Sequence, residues 1–589
     1  MPGLLTWVLA GIVLYTTLAM GLKARGYLPE SVKVSGPLTT IHTKRGRELL
    51  NRLAQRKRFW RAWGNLGVGI ALVVMFLTGL SVVLSVPAII SQPESGTLQN
   101  PQNVLVIPGV NDFLPLSAAP EIVFGLLVGL VVHEGGHGLL CRVENIEIDS
   151  MGIATFALIP IGAFVEPDAD DQRAADRGAQ SRMFAAGITN NFAVCAIALL
   201  LLVPIAGAIG VVAGAPVGDT IPGSGAAEAG IEDGDVITGI DGVTIENASE
   251  LATALEENPE RTVEVERKDS ETVQVERRLL ILGNAAGVGD DIVDTDPLTQ
   301  VTAVNGTTVN TEQAFAAAVD GQAVNRIETD RGNETLAIGT YIAELPDDSA
   351  LADAGMPSDG TGVTITRLAD QRVSNASAFE SVRDELDAGE TVPVEAYIEG
   401  ERQTFNATVD GNGEFGVPET VLADGYSGFV FDDFGVDAYP AEQFLSLLSG
   451  DNAAQFPAIT SILVYFGNLL ILPFTTLIDP TLSYNFAGFT GGITDFFVVE
   501  GPLSVFGGGV FLAANLLFWS WWVNFNLALF NCIPSFPLDG GHILRASTES
   551  VVSRLPIPRG RTVVTMITGG ITIGMVFAVM VLIFGPILL

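Results

Sequence analysis

Seven stretches of this chain are apolar enough, and long enough, to cross a bilayer as helices, and nothing else in the sequence restricts the fold as much. They run at about Leu4 to Leu22, Leu66 to Val86, Ile122 to Cys141, Phe184 to Val212, Ile459 to Leu477, Phe506 to Phe530 and Val564 to Leu588. A helix needs roughly 20 residues to span a hydrocarbon core. Lipid offers no water to a free N–H or C=O, so such stretches fold as helices whose bonds close internally. The first stretch has no basic leader and no clear cleavage site before the charged loop that follows, so it reads as an anchor rather than a signal peptide. The expected fold class is a polytopic α-helical membrane protein with an inserted soluble α+β region.

Charge is distributed unevenly around these spans. Of the 30 Lys and Arg residues, eleven lie between the first two spans, from Lys23 to Arg61. The positive-inside rule makes that loop cytoplasmic and places the protein in the cell membrane as a multi-pass chain in contact with lipid. The net charge of -37 comes mainly from the polar stretch from about Gly214 to Gln455, where Lys is nearly absent. An acidic partner-binding face is one reading. The plainer one is a surface that stays hydrated in concentrated salt, which a halophilic, haloarchaeal source would explain. No basic patch lies outside the membrane-flanking loops, which argues against nucleic acid as a partner. Cys141, Cys195 and Cys532 sit far apart, in or at the apolar stretches, and suggest neither a disulfide framework nor a thiolate metal cluster.

Two membrane blocks, 1–213 and 456–589, thus flank an acidic insert, and a site shared by the blocks has to assemble across the fold. The insert repeats itself. Ala227-Glu228-Ala229-Gly230-Ile231 returns as Ala352-Asp353-Ala354-Gly355-Met356, and each run is followed by Asn-Ala-Ser (Asn247, Asn375) opening an apolar-periodic segment. Both asparagines are expected helix N-caps. Val301 to Gly306 echoes Ile237 to Gly242, and alternating strands are expected at Val263 to Glu266, Val273 to Glu276, Val392 to Ile398 and Phe405 to Val409. The order Ala-Gly-Ile, Asp233-Gly234-Asp235-Val236-Ile237, then an Asp-Gly turn before a helix resembles a PDZ domain of the protease-associated type. The expected domains are PDZ-like at 214–282, a partial or degenerate copy at 283–342, a second PDZ-like domain at 343–415 and a linker at 416–455. The resemblance implies a peptide ligand, added as a strand to a sheet edge; the bland alternative is a soluble spacer.

The chemistry is concentrated at Val131-Val132-His133-Glu134-Gly135-Gly136-His137, an H-E-x-x-H motif at the end of the third span. Residues four apart stack one helical turn over each other, so both imidazoles reach one zinc ion and the glutamate beside them can hold a water. Ionisable groups inside a membrane helix are costly and mark function. Two histidines leave zinc one protein ligand short. The second membrane block offers Asn531-Cys532-Ile533-Pro534-Ser535-Phe536-Pro537-Leu538-Asp539-Gly540-Gly541-His542. Its prolines break the preceding helix, so the segment should line a cavity, and Asp539 is the natural third ligand.

With these motifs the chain resembles the site-2 proteases, the intramembrane zinc metalloproteases of peptidase family M50. The resemblance implies one zinc per chain, held by His133, His137 and Asp539, with Glu134 as the catalytic base. It maps Pro160 and Gly162 onto a segment over the cleft, and Gly187 and Asn191 onto the family's Gly-Pro-x-x-Asn, with Asn191 contacting substrate backbone or oxyanion. Ile188 stands where the family has proline, and Asn190 stays open as the functional asparagine. Asn531 and Gly540 support the distal motif. His542 is expected off the zinc, and His42, in the basic loop, has no evident partner. The implied substrates are transmembrane proteins, cut in regulated intramembrane proteolysis. A catalytically inactive scaffold binding partners through its PDZ-like domains is the alternative, and a transporter with broken helices around a metal the third reading. With the basic loop inside, the PDZ-like region falls outside the cytoplasm. The fifth span breaks the count: either Ile459 to Leu477 is re-entrant or Tyr484 to Ser504 crosses as well.

Overall fold

The structure is a computed structural model, and it describes residues 4–91, 107–110, 114–157, 159–285, 288–289, 292–294, 296–411, 414–417, 425–478, 483–556 and 558–588. Two units result. One comprises residues 1–210, 442–491 and 498–589, the other residues 211–441 and 492–497.

The chain opens with the apolar helix α1 (Leu4–Ala24), then a hairpin of β1 (Val32–Ser35) and β2 (Leu38–His42). A short helix α2 (Lys44–Leu53) leads into the long α3 (Lys57–Ser91). The basic loop is thus a folded element. Thr43 starts α2 by accepting the Gly46 N–H at 3.1 Å. The motif helix α4 (Ala119–Val143) runs into the strands β3 (Ile148–Phe156) and β4 (Ile159–Pro167). These join the hairpin in one sheet of order β1-β2-β3-β4, with Ile41 opposite Ile153. A turn of helix α5 (Ala169–Ala174) precedes α6 (Arg177–Ala206), which Asp176 caps through the Ala179 N–H at 2.9 Å.

After β5 (Ile209–Val211) the insert repeats one order of elements three times. The first copy holds β6 (Ala215–Thr220), α7 (Gly225–Glu228), β7 (Val236–Ile240), β8 (Val243–Thr244), α8 (Ala248–Glu257), β9 (Thr262–Arg267) and β10 (Val273–Glu276). The second has β11 (Leu280–Asn284), β12 (Thr299–Val304), β13 (Thr307–Thr308), α9 (Glu312–Val319), β14 (Val324–Thr329) and β15 (Asn333–Ala337). The third has β16 (Thr340–Ile342), α10 (Ala350–Asp353), β17 (Val363–Leu368), β18 (Gln371–Arg372), α11 (Ala376–Arg383), β19 (Thr391–Ile398) and β20 (Glu401–Thr408). Asn247 and Asn375 are N-caps, each accepting a backbone N–H at 2.9 Å. The segment read as a degenerate copy has a sheet and helix of its own; the short helix between its first two strands is missing among the described residues.

The stretch 416–455 is not a linker, because it carries the strands that complete the first two sheets. β21 (Phe429–Asp432) pairs antiparallel with β11, and β22 (Val436–Ala438) with β6. The copies are therefore nested: the chain builds their sheets in order and closes the second before the first. A glycine precedes each closing strand, Gly428 at φ +83° and Gly435 at φ +92°. The latter lies so close to Ser224 that a Cβ would overlap its hydroxyl. Positive φ and close approach both select glycine.

Beyond the insert come α12 (Ala441–Ser449), α13 (Ala458–Ile471), α14 (Thr475–Ile478), a short β23 (Phe497–Val499), α15 (Gly508–Cys532), α16 (Asp539–Val552) and α17 (Gly560–Leu588). Six described helical stretches are long and apolar enough to cross a membrane: 57–91, 116–143, 177–206, 458–477, 508–532 and 560–586. Residues 483–506 contain only short 3-10 turns and β23, so no second crossing helix lies there. Instead the chain folds back on the end of the α13–α14 stretch, where Phe486 N–H donates to Leu472 O at 2.9 Å and Thr476 N–H to Asn485 Oδ1 at 2.9 Å. The returning strand is held on α15, with Phe489 N–H donating to Asn515 Oδ1 at 2.8 Å and Trp519 Nε1–H to Ala487 O at 3.1 Å. Side chains here replace the water that irregular backbone would otherwise need.

One buried ion pair fastens the nested closure. Arg277, 2% exposed, lies between β10 and β11 and grips both oxygens of Asp433, between β21 and β22, at 2.6 Å. Removing one partner of such a pair strands the other charge and costs about 3–5 kcal/mol. Arg277→Met should therefore release residues 425–440 to hydrogen exchange in the full-length protein; unchanged protection there would show that the pair does not hold the closure. Two neighbouring carboxyls add a pH dependence. Burial, then Asp433 and Asp432, push Glu312 up to about 7 from 4.5, and burial pushes Asp432 up to about 6 from 3.8. Each binds its proton more tightly folded than unfolded, so their combined effect is to destabilise the insert as pH climbs from about 4 through about 7, and Glu312→Gln should flatten that slope.

Candidate metal centre

All the motif residues lie in one unit, so their geometry can be read directly. His133 and His137 come from the last turns of α4, and Asp539 is the first residue of α16. Asp539 Oδ2 lies 3.1 Å from His133 Nε2 and 3.3 Å from His137 Nε2. The three are the group of His, Cys, Asp and Glu side chains among the described residues whose ligand atoms converge, all within 4.8 Å.

Their protonation follows from the outer partners. His137 Nδ1 faces the Met183 carbonyl at 2.8 Å, which only an Nδ1–H can satisfy, so in the neutral ring the lone pair is on Nε2. His133 Nδ1 faces the Asn191 amide at 3.3 Å, and Asn191, fully buried, has an Oδ1 with no partner. Turning that amide over would give Nδ1–H an acceptor and leave the His133 Nε2 lone pair facing inward. Asp539 Oδ2 is also buried and faces the two ring nitrogens. Two ring nitrogens and a carboxylate oxygen aimed at one point are the donors a cation requires, and N, N and O donors suit zinc. The donor set fits the metal expected from the sequence.

Helix α6 passes closest to the rings. A Cβ on Gly187 would come within 2.7 Å of His133 Cε1 and of His137 Nε2, so this position has room for glycine alone. Asn190 is engaged elsewhere, accepting from Trp63 Nε1 at 3.0 Å and donating to Val132 O at 3.4 Å. Of the two asparagines it is Asn191 that the fold brings to His133. Gly540 is forced in a similar way: a Cβ there would meet Ile533 O at 2.4 Å, within the tight turn that delivers Asp539. Asn531 bonds only its own helix, to Leu527 O at 2.9 Å. A Cβ on Gly162 would meet nothing nearer than 3.8 Å, so space does not select that glycine. His542 is stacked on Phe184 at 4.2 Å and stands apart from the convergent group.

Glu134 Oε2 accepts the Val165 N–H at 3.0 Å. Val165 belongs to β4, which ends its sheet; the predicted segment from Pro160 over the cleft is this strand. An apolar cavity of about 430 Å³ opens beside Glu134, bounded by Leu49 and Leu50 of α2, Trp60, Val131, Met151 and Val165. The sequence reading missed this wall, having read the region only as a basic loop; the helical spacing of Leu49, Leu50 and Leu53 was the available signal. His42 also has a place, its ring edge-on to Phe164 of β4 at 5.2 Å. Glu144, just past α4, is held by Arg61 at 3.0 Å and Arg182 at 2.8 Å, which fixes the end of the motif helix against α3 and α6.

Helices of membrane-spanning length thus bring two imidazoles and a carboxylate to one point, with a glutamate of the same helix bonded to a sheet edge. The comparison with known proteins agrees: the family model described as peptidase family M50 matches residues 121–580, a range that includes His133, Glu134, His137, Asn191 and Asp539. The chain belongs to peptidase family M50, a family of membrane metalloproteases. It is also similar to an uncharacterized protein of Methanocaldococcus jannaschii, 26% identical over 162 residues, or 28% of this chain and 42% of the relative. The chain thus spans less than half the length of that relative.

Because Gly187 is packed on both rings, Gly187→Ala should push them out of register and weaken metal binding by about 10–100-fold, the range seen when a site's supporting contacts are lost. Chelator competition against the wild type measures it, and equal affinity would disprove the packing argument.

Proposed function

We propose that this chain is a zinc-dependent endopeptidase that cleaves transmembrane segments of membrane-tethered proteins. The observation that carries the reading is the convergence of His133, His137 and Asp539 next to a glutamate bonded to an open strand edge. Zinc at the three ligands would polarise the scissile carbonyl and bring the pKa of a water toward neutrality. Glu134 then removes the proton from the attacking water and passes it to the leaving amine. Met183 O and the Asn191 amide hold the two imidazoles with Nε2 inward, so neither ring turns when charge develops. By resemblance to the family, Asn191 would also steady a substrate carbonyl.

A transmembrane substrate hides its carbonyls in its own helix, so it has to unwind before it can be cut. The edge of β4 offers an unwound segment a strand to pair with, beside Glu134, and the apolar cavity next to it suits the side chains of a membrane segment. The substrate class is membrane-tethered regulators and remnant signal peptides, by resemblance to the site-2 proteases. The insert, with its three nested copies, serves as a set of PDZ-like peptide-binding modules, and the positive-inside rule puts it outside the cytoplasm.

The test is metal analysis and cleavage of a transmembrane substrate by the purified full-length protein, wild type beside Glu134→Gln. The expected result is one zinc per chain in both and a loss of cleavage in the variant of about 10²–10⁴-fold, the typical contribution of a general base. Unimpaired cleavage by Glu134→Gln would sink the assignment of the base. Zinc without cleavage in the wild type would favour a binding scaffold.

A further inference from the structure

Within the insert, a cavity of about 520 Å³ opens between α8, the first turn of α9 and β22. Its floor is the apolar stripe of α8, with Leu251, Ala252 and Leu255 at helical spacing. Its near wall is the closing strand: Val436 and Ala438 both line the cavity. The sheet order β10-β9-β7-β6-β22 makes β22 an edge. Gly435 O accepts from Ile221 N–H at 3.0 Å and Tyr439 N–H donates to Pro216 O at 3.0 Å, so the backbone of alternate residues turns toward β6. By strand alternation the N–H and C=O groups of Val436 and Ala438 turn away from β6, on the edge that borders the cavity.

The remaining lining is acidic. Glu256, Glu312, Asp432 and Asp433 face the cavity, against Arg277 alone, and that guanidinium is spent on Asp433. An anion is ill suited to this place for a second reason. The Phe434 N–H at the mouth of the closing strand already donates to the chain's own Asp432 Oδ1 at 2.9 Å, so a peptide's terminal carboxylate would find that amide taken and a negative charge beside it.

We infer that this groove binds an extended internal segment of another polypeptide, added as a strand to β22, with a lysine or arginine side chain seated between Glu256, Glu312 and Asp432. The inference deepens the peptide-binding reading of the insert and is independent of catalysis. An edge strand supplies main-chain hydrogen bonds for any sequence, and the acidic wall supplies the selection.

The test uses full-length protein carrying Glu134→Gln, so that nothing is cut, and short peptides blocked at both ends that carry one central lysine, norleucine or glutamate. The lysine peptide should bind at least about tenfold more tightly than the other two, a difference that salt reduces. A free terminal carboxylate on it should bring no gain. Val436→Pro removes an N–H that faces the groove rather than β6, which an edge strand tolerates, and should abolish binding of all three. Glu256→Gln with Glu312→Gln should bring the lysine peptide down to the norleucine level while leaving the backbone contacts in place. Equal binding of the three peptides, or a preference for the free carboxylate, would overturn this inference alone; binding of none would overturn the peptide-binding reading as well.

Discussion

The convergence of two imidazoles and a carboxylate on one point inside the protein is the constraint from which the rest of the membrane unit follows. His133 Nε2, His137 Nε2 and Asp539 Oδ2 come from two distant parts of the chain and have to be held close together for one cation to be shared by all three. The surrounding packing is arranged to that end. Met183 O and Asn191 fix the outward faces of the rings, and Gly187 lets α6 come up against them. A Cβ on Gly125 would lie 2.6 Å from Trp519 O, so α4 and α15 meet backbone to backbone. Small residues are how helices approach closely in lipid, where burying apolar surface gains little.

Local chemistry was readable in the sequence, and long-range pairing was not. The H-E-x-x-H pair needs only helical geometry to bring its histidines together, so His133, His137 and the position of Glu134 followed from spacing. Asp539 followed because prolines in an apolar context leave few places for the backbone to go. The hairpin of β1 and β2 gave no such sign: its partner, β3, lies more than a hundred residues on, with Leu38 opposite Phe156. A strand of four or five residues among basic ones carries too little periodicity to announce a sheet. Likewise α2 hides in a run of arginines, although its leucines face the cavity beside Glu134.

The insert shows the same division. Its N-caps at Asn247 and Asn375, and the hairpin of β9 and β10 with Val265 opposite Val273, were legible because each depends on neighbours in sequence. The nesting was not legible. A three-residue strand such as β22 has no pattern of its own, and what marks it is the glycine before it, which matters only because Ser224 lies across the gap. Reading 416–455 as a linker was the natural error for a segment rich in Gly and Asp whose partners lie about 150 and about 220 residues upstream.

Nesting has a physical consequence that tandem copies would lack. In a tandem array each sheet closes with local chain, so one copy can open while its neighbours stay folded. Here the strand that completes the first sheet follows the strand that completes the second, and Arg277 from the junction between those copies clamps Asp433 from the junction between those strands. Opening the edge of the first copy therefore pulls on the closure of the second. Glu312, at the start of the second copy's helix, donates its N–H to the same Asp433 at 2.7 Å, so the two copies share one buried carboxylate. A ligand that draws on the acidic groove beside β22 would act on that shared carboxylate, and would be felt in both copies at once.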